Sequence, residues 1–266
     1  MILDKHWRVL TVGDGDLSFS HALHLLMSNG HVTASTYDSE QTIRDKYKYH
    51  ALELLAKENV PYFAEFDVKN PQAWQRLAPK KYDLAIFQFP LIPAFSSHKA
   101  FAESELTVNT LNRALLRQFL DNAYRFALDP NGPMLCYITS KDVKPYCEWD
   151  LEGTLTKHAQ MQYLGQLPFN IDQFPGYKIR NVDRDKHVKD TSGITYVFSA
   201  KSNPKISAQL TTPEYLGDNH CSICRAGPFH SEADKLAHQN AKKHKTMQKH
   251  QQAWLDYLHG YKNSHL

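Results

Sequence analysis

Residues 8–26 read RVLTVGDGDLSFSHALHLL. A short apolar run, Val9 to Val12, stops at Gly13-Asp14-Gly15-Asp16, and an apolar-periodic segment, Ala22 to Met27, follows. Strand, tight glycine turn and helix in that order leave few folds open. A strand followed at once by a helix is the first half of a parallel crossover, and such sheets bury both faces under helices. The same unit places the first turn of the helix where a bound nucleotide can meet it. This turn, however, carries two acids.

A dinucleotide turn reads G-x-G-x-x-G, so that backbone can approach a pyrophosphate. Here Gly13 and Gly15 are present, Ser18 stands third, and Asp14 and Asp16 would repel phosphate. S-adenosylmethionine carries a sulfonium and an ammonium group and no phosphate, so the acids favour it. Ser18, Phe19 and Ser20 complete the turn into the helix. Asp38, ending the second apolar run in VTASTYDS, is placed to accept from ribose hydroxyls. Asp67, in FAEFDV, is placed toward the adenine end. Each acid alone is equally readable as a helix N-cap; three acidic sites at successive strand ends favour the cofactor.

The remaining chain continues the alternation. Strands are expected at 9–12, 32–36, 62–66, 84–89, 134–139 and 196–200, and helices at 20–28, 40–57, 71–78, 108–127 and 149–158. The fold expected is α/β, a Rossmann-like parallel sheet with helices on both faces, over residues 1–200. Residues 201–219 lack periodicity and hold two prolines, which reads as a linker, and a small metal-binding unit occupies 220–266. No apolar run approaches the roughly 20 residues a membrane span needs, so no membrane partner is expected. The N-terminus is too short and charged for a signal peptide. A cytoplasmic protein, nucleolar in a eukaryote, is expected.

At the fourth strand, LAIFQFPLIP places Gln88, Phe89 and Pro90 at a carboxyl end, where open parallel sheets bind ligands. An amide there can hydrogen-bond a base edge and an aromatic can stack on it; Phe89 is equally readable as core. Lys141, Tyr146, Tyr177 and Arg180 mix cations with aromatics, a composition suited to unpaired RNA. Trp149 and Phe174 read as core.

VGDGDLSFS, ASTYDS, DKY, FQFP, NTLNRALLRQFL, VKPYCEW and FPGYKIRN occur in an order that resembles the Rossmann-like rRNA uridine-N3 methyltransferase family over residues 8–200. The resemblance implies a class I methyltransferase fold, S-adenosylmethionine, and an RNA substrate, rRNA above all. The family reads Asn-Phe-Pro-His where this chain has Gln88-Phe89-Pro90-Leu91.

Near the C-terminus, Cys221-x2-Cys224 is followed after thirteen residues by His238-x5-His244. Two thiolates and two imidazoles at this spacing suit tetrahedral zinc, with Phe229 and Leu236 as the unit's small core. His220, His230 and His250 are alternative ligands. A gap of six residues is too wide for one helical face, so a distorted turn between the two histidines is expected. The wide spacing and the KKHK that follows resemble matrin-type zinc fingers, which implies contact with double-stranded RNA. Lys235 to His250 holds five lysines and no acid, a plausible phosphate-facing surface. Trp254 and Leu258 form an apolar stripe beyond it, suited to docking on the main domain.

Overall fold

The computed structural model describes residues 1–265 apart from 29, 79–80, 94–100, 102–104, 182–183 and 188–191. In chain order the first half runs β1 (Arg8–Val12), α1 (Ser18–Leu26), β2 (His31–Ser35), α2 (Glu40–Lys46), α3 (Leu52–Lys57), β3 (Tyr62–Phe63), α4 (Pro71–Gln75), β4 (Leu84–Gln88) and α5 (Val108–Asn122). Then come β5 (Leu135–Ser140), β6 (Gln162–Phe169), the hairpin β7 (Arg180–Asn181) and β8 (Arg184–His187), and β9 (Gly193–Ser199). The chain ends with α6 (Pro204–Ser207), α7 (Glu232–Asn240) and α8 (Lys242–His265).

Seven strands form one sheet in the order β3-β2-β1-β4-β5-β9-β6. β1 to β5 are parallel, β9 is antiparallel to β5, and β6 is antiparallel to β9. The all-parallel expectation is therefore corrected: β9 runs in reverse, and β6 escapes the sequence pattern. The central strands are apolar on both faces because both are covered. Leu10 and Val12 pack with Trp74, Phe119 and Trp254 on one side. Val9 packs with Leu23, Ile43 and Leu55 on the other. This is the α/β Rossmann-like methyltransferase sheet.

Three helical expectations change. The stretch 40–57 splits, because Tyr47 turns extended and sinks its ring into the core. The helix expected over 108–127 is α-helical to Asn122 and then π-helical over Ala123–Ala127, a widened turn where the apolar spacing shifts. Residues 149–158 form no α-helix. The Asp150 carboxylate takes the backbone N–H of Thr154 (2.9 Å) and its hydroxyl (2.7 Å), a local alternative to helical pairing.

The C-terminal segment is fastened to the sheet. Within 201–219, Ile206 is buried, and Thr211 exchanges two 2.9 Å backbone hydrogen bonds with Gln166 of β6. On α8, Trp254 is fully buried, with the Arg113 guanidinium 4.8 Å over its ring. Its indole N–H donates to the Thr154 carbonyl at 3.0 Å. Leu258 is buried beside it, so the apolar stripe docks as its sequence implied.

Candidate active site and metal cluster

At the carboxyl end of β1, Gly13 adopts a left-handed φ of +65°, and a Cβ there would meet the Phe87 ring at 2.5 Å. A Cβ on Gly15 would lie 2.7 Å from the Tyr47 hydroxyl. Both glycines are thus demanded by the protein's own packing. Asp14 is buried, and its carboxylate accepts from the Ser20 N–H (2.7 Å) and hydroxyl (2.6 Å). Burial, and then the neighbouring Asp16, push the Asp14 carboxyl well above the ordinary carboxylate range, against the pull of those hydrogen bonds. Asp16 receives Arg180 Nε at 2.6 Å, a pair nearly closed to water. Asp38 pairs with Lys46 at 3.0 Å. Asp67 accepts from the Lys69 N–H at 2.9 Å, and it lies beyond the end of β3 because that strand stops at Phe63.

These groups line a cleft of about 990 Å³, open water at its mouth included. Gly13, Asp14, Gly15, Asp16, Asp38 and Asp67 all reach it, and so do Gln88, Phe89, Pro90, Tyr177 and Arg180. Ser18, Phe19 and Ser20 stand behind it. Ser20 holds Asp14, the Ser18 hydroxyl accepts the Lys178 N–H at 3.2 Å, and the Phe19 ring packs against Phe174 and Tyr177. Lys141 and Tyr146 are not among the lining residues; Tyr146 packs its ring on the buried Trp149 at 5.0 Å.

The charge of the cleft is more even than its sequence implied. Asp14, Asp16, Asp38 and Asp67 face Lys46, Lys69, Lys178 and Arg180. The partners Lys46 and Arg180 lie 8 and 164 residues from the acids they meet. Lys46 sits in DKY, and Lys178 and Arg180 sit in FPGYKIRN, where Arg180 reads as an RNA contact; the structure pairs it with Asp16.

At the end of β4, both amide atoms of Gln88 are buried without a hydrogen-bond partner among the described residues, as is the Thr36 hydroxyl at the end of β2. An unpaired buried polar group costs about 1–3 kcal/mol, so these atoms have bonding capacity left for a ligand or for water. Phe89 follows in the left-handed region, φ +46°, which is strained for an aromatic residue. Its N–H is pinned to the Thr139 carbonyl at 2.8 Å, and its ring packs edge-on to Phe169 at 5.4 Å.

A family model for rRNA (uridine-N3-)-methyltransferase, BMT5-like, matches residues 10–181, which span β1 to β7 and the whole cleft. The chain belongs to this family. Its fold and family are those of S-adenosylmethionine-dependent methyltransferases. It is 29% identical over 188 residues to heavy metal-associated isoprenylated plant protein 41 of Arabidopsis thaliana; the match covers 67% of this chain and 34% of that one. The chain thus spans about a third of the length of that curated relative. Among solved structures it is similar to a chain of a fibrillarin/Nop5p complex, with a TM-score of 0.44, 15% identity and 75% of each chain covered. It is also similar to a 30S ribosomal A1408 methyltransferase from an uncultured bacterium, with a TM-score of 0.43, 12% identity, and 75% and 95% of the two chains covered. Likenesses this distant carry no argument about chemistry.

S-adenosylmethionine fits this donor set. Asp38 and Asp67 offer carboxylates in the loops after β2 and β3, the Thr36 hydroxyl has no partner among the described residues, and the lining mixes these groups with Phe66, Phe87 and Leu115.

The second cluster lies beyond the sheet. The ligand atoms of Cys221, Cys224, His238 and His244 all fall within 4.8 Å of one another. His244 Nδ1 is 3.4 Å from Cys221 Sγ, 3.5 Å from Cys224 Sγ and 3.1 Å from His238 Nε2. The edges of a zinc tetrahedron with ordinary bond lengths are about 3.3–3.8 Å, so the cluster could hold such a metal. Ala241 leaves the helical conformation between α7 and α8, which is the distorted turn the histidine spacing required. Phe229 packs on the His238 ring at 4.9 Å, but Leu236 is 55% exposed and is no core residue. Arg225, next to the second cysteine, reaches into the main domain. It donates to Glu152 (2.7 Å) and the Tyr196 hydroxyl (3.0 Å) and pairs with Asp142. Among the described residues, no helix is long and apolar enough to cross a membrane.

Proposed function

We propose that this protein is an S-adenosylmethionine-dependent RNA methyltransferase acting on a uridine N3, in rRNA above all. In this reading residues 1–200 are the methyltransferase domain, 201–219 its connection, and 220–266 a zinc-organised RNA grip of the matrin type. The observation that carries the reading is the bare amide of Gln88 at the end of β4, in the cleft that also holds the acid-bearing glycine turn.

The Gly13–Asp16 turn would hold S-adenosylmethionine, with Asp38 available to its ribose and Asp67 to its adenine, and the cofactor would supply an electrophilic methyl group. Gln88 Nε2 donates to the uracil carbonyl beside N3, where negative charge gathers as the N3 proton leaves. A fixed donor aimed at developing charge, with no water to reorganise, is the most effective form of such help. The pinned N–H of Phe89 and the ring of Pro90 hold that amide in place. Leu91, Phe87 and Leu115 keep the floor of the cleft apolar. Much of the remaining acceleration is alignment of nitrogen and methyl.

The metal cluster supports the RNA half of the reading by where it is tied. Arg225 anchors it to Asp142, two residues past the carboxyl end of β5. Lys242, Lys243, Lys245 and Lys249 flank the second histidine and are exposed.

Leu91 lines the cleft where the family has histidine, which favours one alternative, a non-catalytic RNA-binding or assembly protein on a methyltransferase fold. Nucleoside mass spectrometry of RNA from cells with and without the protein decides between them. Loss of 3-methyluridine from rRNA is expected; an unchanged nucleoside profile overturns the catalytic reading.

A further inference from the structure

We infer that Tyr49, with Lys48 and Lys178, is a stacking platform for an unpaired nucleotide of the substrate RNA next to the target base. The inference rests on the RNA methyltransferase reading and adds to it a contact outside the cleft.

The platform follows from how α2 ends. Lys46 is its last residue, and Tyr47 turns extended and buries its ring. Arg180 lies over that ring at 5.7 Å while bonding Asp16. With Tyr47 inward, Lys48 and Tyr49 turn outward, and Tyr49 is 63% exposed. Its backbone is nonetheless fixed: its carbonyl accepts from Arg180 Nη2 at 3.3 Å. The exposed ring has the Lys48 ammonium 5.5 Å and the Lys178 ammonium 5.4 Å from its centroid. Lys178 lines the cleft and its N–H is bonded to Ser18 at the start of α1, so the platform continues the cleft wall. Tyr37, 54% exposed, carries the aromatic rim along the same cleft.

A large aromatic ring held in water by a fixed backbone gives nothing to the core. Two ammonium groups drawn to one exposed ring also concentrate positive charge beside it. Single-stranded RNA matches both features: its bases stack on aromatic faces while its phosphates meet lysines. An acidic protein would use the charges and leave the ring idle. A target base entering a cleft must leave its stack, which strips its neighbour of a partner, and Tyr49 offers a replacement at the rim.

The test uses the full chain and a short fluorescein-labelled oligouridylate, read by fluorescence anisotropy. Tyr49→Ala should weaken binding at least tenfold, about 1.4 kcal/mol, whereas Tyr49→Phe should stay within twofold of wild type. Lys48→Glu should weaken binding and flatten its salt dependence. S-adenosylhomocysteine affinity, by calorimetry, should be the same in all three. Equal RNA binding by Tyr49→Ala and wild type overturns the platform, as does a wild type that does not bind the oligonucleotide. An oligoglutamate peptide that binds with the same Tyr49 dependence also overturns it, in favour of an acidic protein partner. Failure of the underlying reading looks different: wild-type protein would then bind no cofactor at all.

Discussion

The cleft and the metal cluster are both sites built from polar side chains, yet they are held together in opposite ways. In the cleft the chain supplies its own counter-charges, Arg180 for Asp16 and Lys46 for Asp38, and packing fixes the glycine turn. In the cluster four donors converge and none is a cation that would draw the two thiols together. The first site is shaped by the chain's own charges and packing; the second is a set of donors that could hold an ion. The contrast also runs through stability, because the cluster is no appendage. Arg225 and Trp254 root it in the main domain.

The largest expected effect tests that rooting. Chelation, or Cys221→Ala, should lower the melting temperature of the whole chain in a single calorimetric transition. Trp254→Ala should cost about 3–5 kcal/mol by denaturant titration, the usual loss for a buried aromatic. A methyltransferase domain that melts unchanged after metal removal would make the two regions independent and break the comparison.

Next comes Gln88→Ala. It should lower turnover at least a hundredfold, about 2.7 kcal/mol in the barrier, while cofactor affinity by calorimetry stays within twofold. Folding stability should hold or rise by up to about 1 kcal/mol, since an unpaired buried amide is removed. A variant that loses stability along with activity would show the amide to be structural.

A smaller effect is expected at Asp38. Asp38→Ala should weaken S-adenosylhomocysteine about tenfold, some 1.4 kcal/mol, and remove the Asp38–Lys46 ion pair. Unchanged affinity would remove Asp38 from the cofactor site.

The last concerns Asp14. Because its folded carboxyl titrates above the ordinary range, the native state holds that proton more firmly than the unfolded chain. Its contribution to stability is therefore present at low pH and falls as pH rises above about 4. Asp14→Asn should flatten the stability–pH curve over that interval; an unaltered slope would place the titration elsewhere.

What the sequence discloses here is local. The glycine turn, the apolar strands and the Cys-x2-Cys with its two histidines are short-range patterns, and each sits in the structure close to its expected bounds. The pairings are not local. The reversal of β9, the Arg180–Asp16 pair and the Arg225–Glu152 pair join residues far apart in the chain, and no periodicity encodes them. β6 was hidden because Gly165 and Pro168 interrupt its alternation. The false helix at 149–158 had the composition but not the backbone, which Asp150 diverts.

Those same irregularities in β6 govern how the molecule meets its own copies. β6 is the outermost strand, and an open strand edge is a template for another chain. Gly165 at φ +143° and the register shift between Tyr163 and Gly165 bend that edge. Pro168 removes a donor, and Thr211 covers the backbone of Gln166. At the opposite margin β3 is two residues long. Neither border of the sheet presents a straight, unbroken rail, so the sheet is guarded against growing by strand addition.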